Sequence, residues 1–348
     1  MTPSSPPAEP DPAARAAAAR LCPETVVALH PGGRGGNSRL YRVEGASGAV
    51  YALKHYPRFT HDRRDRLDTE WRALTFLAEA GEAAVPRPLA RDAATGFALL
   101  SWIEGTPVGV ADEADLAAAA AFAGRLHTLA RHPAAARLPL ASEACLAPAT
   151  VLEQVDHRLE RLEGAASAQP DLAALLAGEI RPWRHRVGAW LTAEAAALDL
   201  DPAQDLPAAR RTLSPSDFGF HNALRRPDGG LTFLDFEYFG WDDPVKLLAD
   251  FILHPGMDLT PAQAGRFLAP AARHYAADPA LERRLRISLP LYTLRWCLIV
   301  LNEFLPERWQ GRAFAGQAAE RGAVLDRQAA KARALLNRLP SLLMDPPT

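Results

Sequence analysis

Cysteine is scarce and scattered in this chain. Three occur in 348 residues, Cys22, Cys145 and Cys297. They are far apart, odd in number and form no C-x-x-C pair. That pattern argues against a disulfide framework or a zinc site, and fits a reducing compartment. Long apolar runs are also missing. The longest strongly apolar stretch, Trp296 to Leu301, is far too short to span a bilayer. No basic start followed by an apolar core opens the chain, so no signal peptide is expected and a cytoplasmic location fits. A charge excess is absent as well: 39 Lys and Arg stand against 41 Asp and Glu, for a net charge of -2. This argues against a general electrostatic grip on nucleic acid or a membrane surface. The basic run at Arg63 and Arg64 is interleaved with Asp62, Asp65 and Asp68 and reads as a solvated helix face.

What is present is an ordinary globular composition, 48% apolar and 23% charged, with enough apolar residues for a sizeable core. The length exceeds what one compact core usually holds, so two lobes are expected. Residues 1–20 are rich in Pro and Ala and read as a disordered or loosely helical tail. Residues 21–104 form the N-terminal lobe. Strands are expected at Thr25 to Leu29, Leu40 to Val43 and Val50 to Tyr56, with a glycine cluster from His30 to Gly36 and a turn at Gly45 to Gly48. Leu67, Trp71, Leu74 and Ala78 recur at helical spacing and predict a helix from about Arg63 to Ala80. Phe97 to Ile103 suits a buried strand, and Gly105 and Pro107 then break the chain. Residues 105–348 read as a mostly helical lobe. Helices are expected at Asp115 to Ala130, Leu152 to Leu162, Leu172 to Leu198 and, in pieces, Ala262 to Leu343. The class is therefore α+β, with a small antiparallel-sheet lobe and a larger helical lobe.

One stretch interrupts the helices. From Arg211 to Asp235 short apolar pieces alternate with turns. Asp228-Gly229-Gly230 is a strong hairpin signal, flanked by strand candidates Ala223 to Arg225 and Leu231 to Leu234. Such a hairpin brings Asn222 and Asp235, at its outer ends, close together. Two oxygen-bearing side chains so held suit Mg²⁺, a hard ion that prefers oxygen ligands. Asp217 lies on the preceding loop, where a carboxylate can align an attacking hydroxyl and accept its proton.

These residues resemble the catalytic and metal loops of the aminoglycoside phosphotransferase and choline kinase family, within the protein-kinase-like superfamily. The family pattern is H-G-D-x-x-x-x-N, a hairpin, then a short run around an Asp. Asp217 and Asn222 match its first half, and Leu234-Asp235-Phe236-Glu237-Tyr238 its second. The resemblance implies a two-lobed protein-kinase-like fold, ATP and Mg²⁺ as cofactors, Asp217 as catalytic base, and Asn222 and Asp235 as metal ligands. Pro215-Ser216 stands where the family has His-Gly. Leu247 stands where it often has a second Asp after Asp243-Pro244, with Asp250 further on as a structural substitute.

The N-terminal lobe carries further parts of the pattern. Gly33, Gly35 and Gly36, with Asn37 and Ser38, fit a glycine-rich turn over phosphates. Lys54 and Glu70 resemble the family's lysine–glutamate ion pair, and Ala98 to Gly105 its hinge, where backbone groups near Ser101 and Ile103 would meet the adenine edge. His127 reads as a packed structural histidine. The acceptor pocket is expected beyond Asp217, with Glu237, Tyr238, Trp241 and Arg295 as candidate substrate contacts. Arg295 sits on an apolar helix expected at Leu291 to Leu305, where a buried arginine needs Glu303, another acid or a substrate anion as its partner.

The implied activity is phosphotransfer from ATP to a hydroxyl of a small molecule such as a sugar, an amino sugar, a choline-like amino alcohol or an aminoglycoside, by a monomer or homodimer. Pro215-Ser216 leaves open a catalytically degenerate relative that binds nucleotide or a partner. A hydrolase built on Ser214 or Ser216 with His221 is a third reading, and it lacks a nucleophile elbow.

Overall fold

The structure, a computed structural model, describes residues 11–34, 38–58, 64–309 and 321–344. Its N-terminal lobe is a five-stranded antiparallel sheet in the order β1 (Val26–Arg34), β2 (Arg39–Gly45), β3 (Val50–His55), β5 (Phe97–Ser101), β4 (Pro88–Asp92). Alternation along the strands gives the sheet two apolar faces. One face carries Tyr41, Val43, Leu53, Phe97 and Leu99. The other carries Ala52, Ala98 and Leu100, packed under α2 (Arg66–Glu79).

The first face is covered by a packed helix where a disordered or loosely helical tail was expected. Residues Pro12–Leu21 form α1, capped by the Asp11 carboxylate on the Ala13 N–H. Ala14, Ala17 and Ala18 share one side of it and are fully buried on the sheet. Alanines at this spacing let the helix approach closely, and the covering helix removes an apolar sheet face from water. Compositional bias alone hides that packing. β1 also runs further than expected, to Arg34, so Gly33 lies on a strand. Gly35, Gly36 and Asn37 lie outside the described residues, and Ser38 is buried.

The chain leaves β5 through residues 102–105 and enters the helical lobe. Its core is α9 (Leu281–Val300), buried along nearly its whole length. Against it pack α4 (Pro148–Ala166), α6 (Arg181–Ala197), α7 (Pro244–Leu253) and the closing helices Arg321–Leu336 and Leu339–Met344, while α3 (Glu113–Leu129) packs on α8 (Pro261–Arg273), which in turn meets α7. The expected single helix over 172–198 is split into α5 (Pro170–Leu175) and α6 by a π-turn at Leu176–Ile180. Pro182 lacks the N–H that would close an α-turn on the Gly178 carbonyl. The expected helix at 291–305 starts earlier, at Leu281, and tightens into a 3-10 turn at Leu301–Phe304.

The insert folds as its turn residues predict. β8 (Ala223–Arg225) and β9 (Leu231–Phe233) pair antiparallel, with Ala223 opposite Phe233, around Gly229 at φ +83°. A short strand, β6 (Thr106–Pro107), joins them from the lobe connection. Arg225 pairs with Asp115, buried in the first turn of α3. β7 (Thr212–Ser214) pairs with β10 (Gly240–Asp242). These two small sheets hold the loops of the insert against the helices. Among the described residues, no helix is long and apolar enough to cross a membrane.

Candidate active site

β3 sends Ala52 and Lys54 toward the α2 side of the sheet because alternate residues share a face. Lys54 Nζ meets Glu70 Oε2 of α2 at 2.6 Å and Asp235 Oδ1 at 2.6 Å. Burial alone would lower the Lys54 pKa, but Asp235 and Glu70 outweigh it and raise it well above the ordinary value. Lys54 is therefore a permanent cation. Glu70 is held on both oxygens: the Tyr56 hydroxyl donates to Oε2 at 2.7 Å, and the Phe236 N–H to Oε1 at 3.3 Å. One carboxylate thus ties the sheet, α2 and the loop after β9 together.

Asp235 follows β9 with φ +66°, a conformation that strains any residue but glycine. Its ion pair with Lys54 holds it there. The Leu234 N–H bonds the Asn222 carbonyl at 2.8 Å, so Asn222 and Asp235 leave neighbouring points of the hairpin. Asn222 Nδ2 donates to the Asp217 carbonyl oxygen at 3.0 Å and to Oδ2 at 3.2 Å, which turns its amide oxygen away from that bond and leaves it for another partner. Glu237 lies beside them, with Glu70, Asp235 and Glu237 oxygens within 4.8 Å of one another. Burial and the charge of Asp235 push the Glu237 carboxyl up to about 7. Its Oε2 is buried without a hydrogen-bond partner among the described residues. An oxygen-rich, negatively charged group with an orphaned carboxylate atom is the donor set a hard divalent cation requires.

Asp217 is bracketed by two histidines. His221 Nε2 lies 3.0 Å and His254 Nε2 3.6 Å from Oδ1, and the rings stack at 3.8 Å. Burial opposes ionisation of Asp217, but the His221 hydrogen bond, the two imidazoles and the Asn222 amide hold its pKa well below the usual carboxylate value. Ser216, just before it, sits at φ +65°, where the family pattern has a glycine. A buried lysine supports this turn: Lys246 Nζ donates to Ser216 Oγ at 2.9 Å and pairs with Asp242 at 3.1 Å and Asp250 at 3.0 Å. Neither Ser214 nor Ser216 engages His221. Ser214 Oγ accepts the Ser216 N–H and Ser216 Oγ donates to the Ser142 carbonyl, so neither serine is paired with His221 for a hydrolase.

Asp217, Asn222 and Asp235 open into one cleft of about 550 Å³. Of the four candidate substrate contacts, Tyr238 and Arg295 line its far part, and Glu237 sits with the cation ligands. Trp241 does not line it. Its indole N–H donates to the Ala135 carbonyl at 3.0 Å, because the β7–β10 pairing turns it toward the 135–141 loop. Arg295 bonds Gln154 at 2.7 Å, Glu143 at 3.0 Å and Asp250 at 3.5 Å, not Glu303. Asp250 also accepts the Trp296 indole N–H at 2.9 Å, a structural use. At the lobe connection the Ser101 N–H is already bonded to the Arg87 carbonyl, so it is not free for a ligand. Ile103 lies just past the end of β5. Tyr56, Glu143, Arg158, Lys246 and His254 were not singled out in the sequence; their bonds (Tyr56–Glu70, Glu143–Arg158, Lys246–Ser216 and His254–Asp217) join residues at least 14 apart along the chain.

The phosphotransferase enzyme family matches the chain over residues 29–287. No curated protein matches it in sequence. Among solved structures it is similar to the choline kinase of Streptococcus pneumoniae, at 18% identity over 93% of this chain and 97% of that one, with a TM-score of 0.58. A spectinomycin phosphotransferase solved with ADP and spectinomycin matches at 11% identity, 92% and 96% coverage, and a TM-score of 0.60. The macrolide 2′-phosphotransferase of Brachybacterium faecium matches at 19% identity, 91% and 96% coverage, and a TM-score of 0.57. At these identities the likeness shows the fold, and it is the two-lobed fold expected from the sequence.

Proposed function

Because the chain belongs to the phosphotransferase enzyme family and is a small-molecule kinase, we propose that it transfers the γ-phosphate of ATP to a hydroxyl of its acceptor. The observation that carries this reading is the joining of separate segments at one end of one cleft. Lys54 is bonded to Glu70 and Asp235, and Asn222 to Asp217. The spectinomycin enzyme of the same fold was solved with ADP, which supports nucleotide binding in this reading.

In this reading Lys54 neutralises the α- and β-phosphates, and Glu70 keeps it extended toward them. Asn222 and Asp235, with Glu237 adjacent, would hold Mg²⁺, which supplies charge neutralisation to the transferring phosphoryl group. Asp217, held ionised, aligns the acceptor hydroxyl. The acceptor oxygen bonds to the γ-phosphorus as the bond to the β,γ-bridging oxygen of ATP breaks, and the hydroxyl proton passes to Asp217. Such a base contributes about 10²–10⁴-fold. The Pro215-Ser216 departure removes no member of this set, and Lys246 supports the turn that contains it.

The test is ADP release across hydroxyl acceptors, with Asp217→Asn alongside. Turnover should fall by about 10²–10⁴-fold in that variant, with ATP–Mg²⁺ affinity nearly unchanged. Retained turnover would show that Asp217 is not the base. Absence of both turnover and any ATP–Mg²⁺ thermal shift in the wild type would end the kinase reading.

A further inference from the structure

The two oxygens of Asp217 are held by different means. The Asn222 amide reaches Oδ2 at 3.2 Å, and His221 Nε2 reaches Oδ1 at 3.0 Å. An ionised carboxylate only accepts, so the His221 nitrogen that faces it carries a proton. The last torsion of an aspartate is soft and roughly two-fold. Two fixed donors, one on each oxygen, therefore set the plane of this carboxylate, and one alone would let it turn.

His221 lies on a short 3-10 turn, Phe220–Asn222, and its ring is fixed from outside that turn. His254, which ends α7, stacks on it with the rings 3.8 Å apart and 3° from parallel. His254 is anchored in its turn. Its Nδ1 accepts the Gly256 N–H at 3.0 Å, and the Trp296 ring meets it edge-on at 4.7 Å. Burial keeps this imidazole neutral. With Nδ1 accepting, its proton sits on Nε2, 3.6 Å from the same Asp217 oxygen. That is too long for a hydrogen bond, so His254 acts on Asp217 chiefly through the ring it holds. Gly219 leaves room on the other side. A Cβ there would come within 2.7 Å of His221 Nδ1 and 2.6 Å of Met257 Sδ, and that sulfur accepts the Phe220 N–H at 3.1 Å.

We propose that His221, clamped by His254, is a positioning residue for Asp217 and fixes the carboxylate that aligns the acceptor hydroxyl. Misplacing such a group by about 1 Å costs about 10²-fold in rate. The proposal rests on the phosphotransferase reading for its kinetic arm, while its crystallographic arm needs no turnover, so the two can fail separately. Full-length wild type, His221→Ala and His221→Gln are crystallised with Mg²⁺ and ADP. ADP release is followed in parallel, with water as acceptor where the screen of hydroxyl compounds yields none. Glutamine offers an N–H near the place of Nε2 and takes up no proton, so it restores position alone.

The expected result for His221→Ala is an Asp217 carboxylate that turns or takes two orientations, a kcat lower by about 10- to 10²-fold, and an unchanged KM for ATP. His221→Gln should recover the orientation and most of the rate. His254→Leu, which removes the clamp and leaves His221 in place, should lower kcat by a smaller factor. An unmoved Asp217 in His221→Ala, an unchanged kcat, or a His221→Gln variant as slow as His221→Ala overturns the positioning role. A wild type with neither ADP release nor an ATP–Mg²⁺ thermal shift ends the phosphotransferase reading, and the orientation of Asp217 in the crystals still decides this inference.

Discussion

Lys246→Met tests whether a lysine has taken over support of the catalytic turn. The ammonium is fully buried and bonds Asp242, Asp250 and Ser216 Oγ. Methionine keeps most of the volume but leaves two buried carboxylates without their countercharge. Breaking a buried ion pair on one side costs about 3–5 kcal/mol, a large share of the roughly 5–15 kcal/mol that holds a domain together. At about 2 °C per kcal/mol for a chain of this size, the midpoint should fall by roughly 6–10 °C. The assay is a thermal melt paired with steady-state kinetics at 20 °C, where the variant remains folded. Lys246 touches no reacting atom, so its effect on rate must pass through Ser216 to the position of Asp217. The expected split is a fall of about tenfold or more in kcat with little change in the KM for ATP, because misplacing the aligning group weakens the transition state and spares nucleotide binding. A lower midpoint with unchanged kcat would refute the support of the catalytic turn. An unchanged midpoint would refute the buried charge network itself.

Lys54→Met should lower kcat by about 10²–10³-fold, the usual effect of removing one preorganised charge partner of the transition state; a variant with near-normal kcat would place the nucleotide elsewhere. His254 supplies a pH test. Burial, then His221, lowers its pKa from 6.5 to about 4, against the pull of Asp217. The unfolded chain therefore binds the proton first, and the stability given by a neutral His254 is lost as pH falls from about 6.5 to about 4, by up to about 3 kcal/mol. Urea melts at pH 7 and pH 5 should show His254→Gln losing less over this interval than the wild type, and parallel losses would sink the assignment. Trp241→Phe should leave KM for both substrates unchanged, since the indole bonds Ala135 outside the cleft; a raised acceptor KM would return Trp241 to the site.

The parts of the site that lie close along the chain were legible in the sequence. Asp217, Asn222 and Asp235 are set by one loop and one hairpin, and the Asp-Gly-Gly turn dictates that geometry locally. Strand alternation and helix periodicity, guided by the family pattern, also placed Lys54 opposite Glu70. The fold class followed from the shift between a period of two and a period of 3.6 near residue 105. Composition left residues 12–21 between disorder and loose helix, because an alanine-rich segment is helical or disordered according to whether a surface waits for it, and that surface is formed by strands up to 85 residues from Ala14.

The sequence by itself thus supplied the groups of the proposed reacting end: Lys54 and Glu70 for the nucleotide, Asn222 and Asp235 for the metal, and Asp217 for the hydroxyl. Tertiary structure alone decided the rest. His254 reaches Asp217 across 37 residues, Lys246 reaches Ser216 across 30, and Arg295 reaches Glu143 across 152. Such pairs are selected by packing among helices, and no local spacing encodes them. They set the electrostatics of the cleft wall, since a charge acts through its distance to other charges in space, whatever their order along the chain.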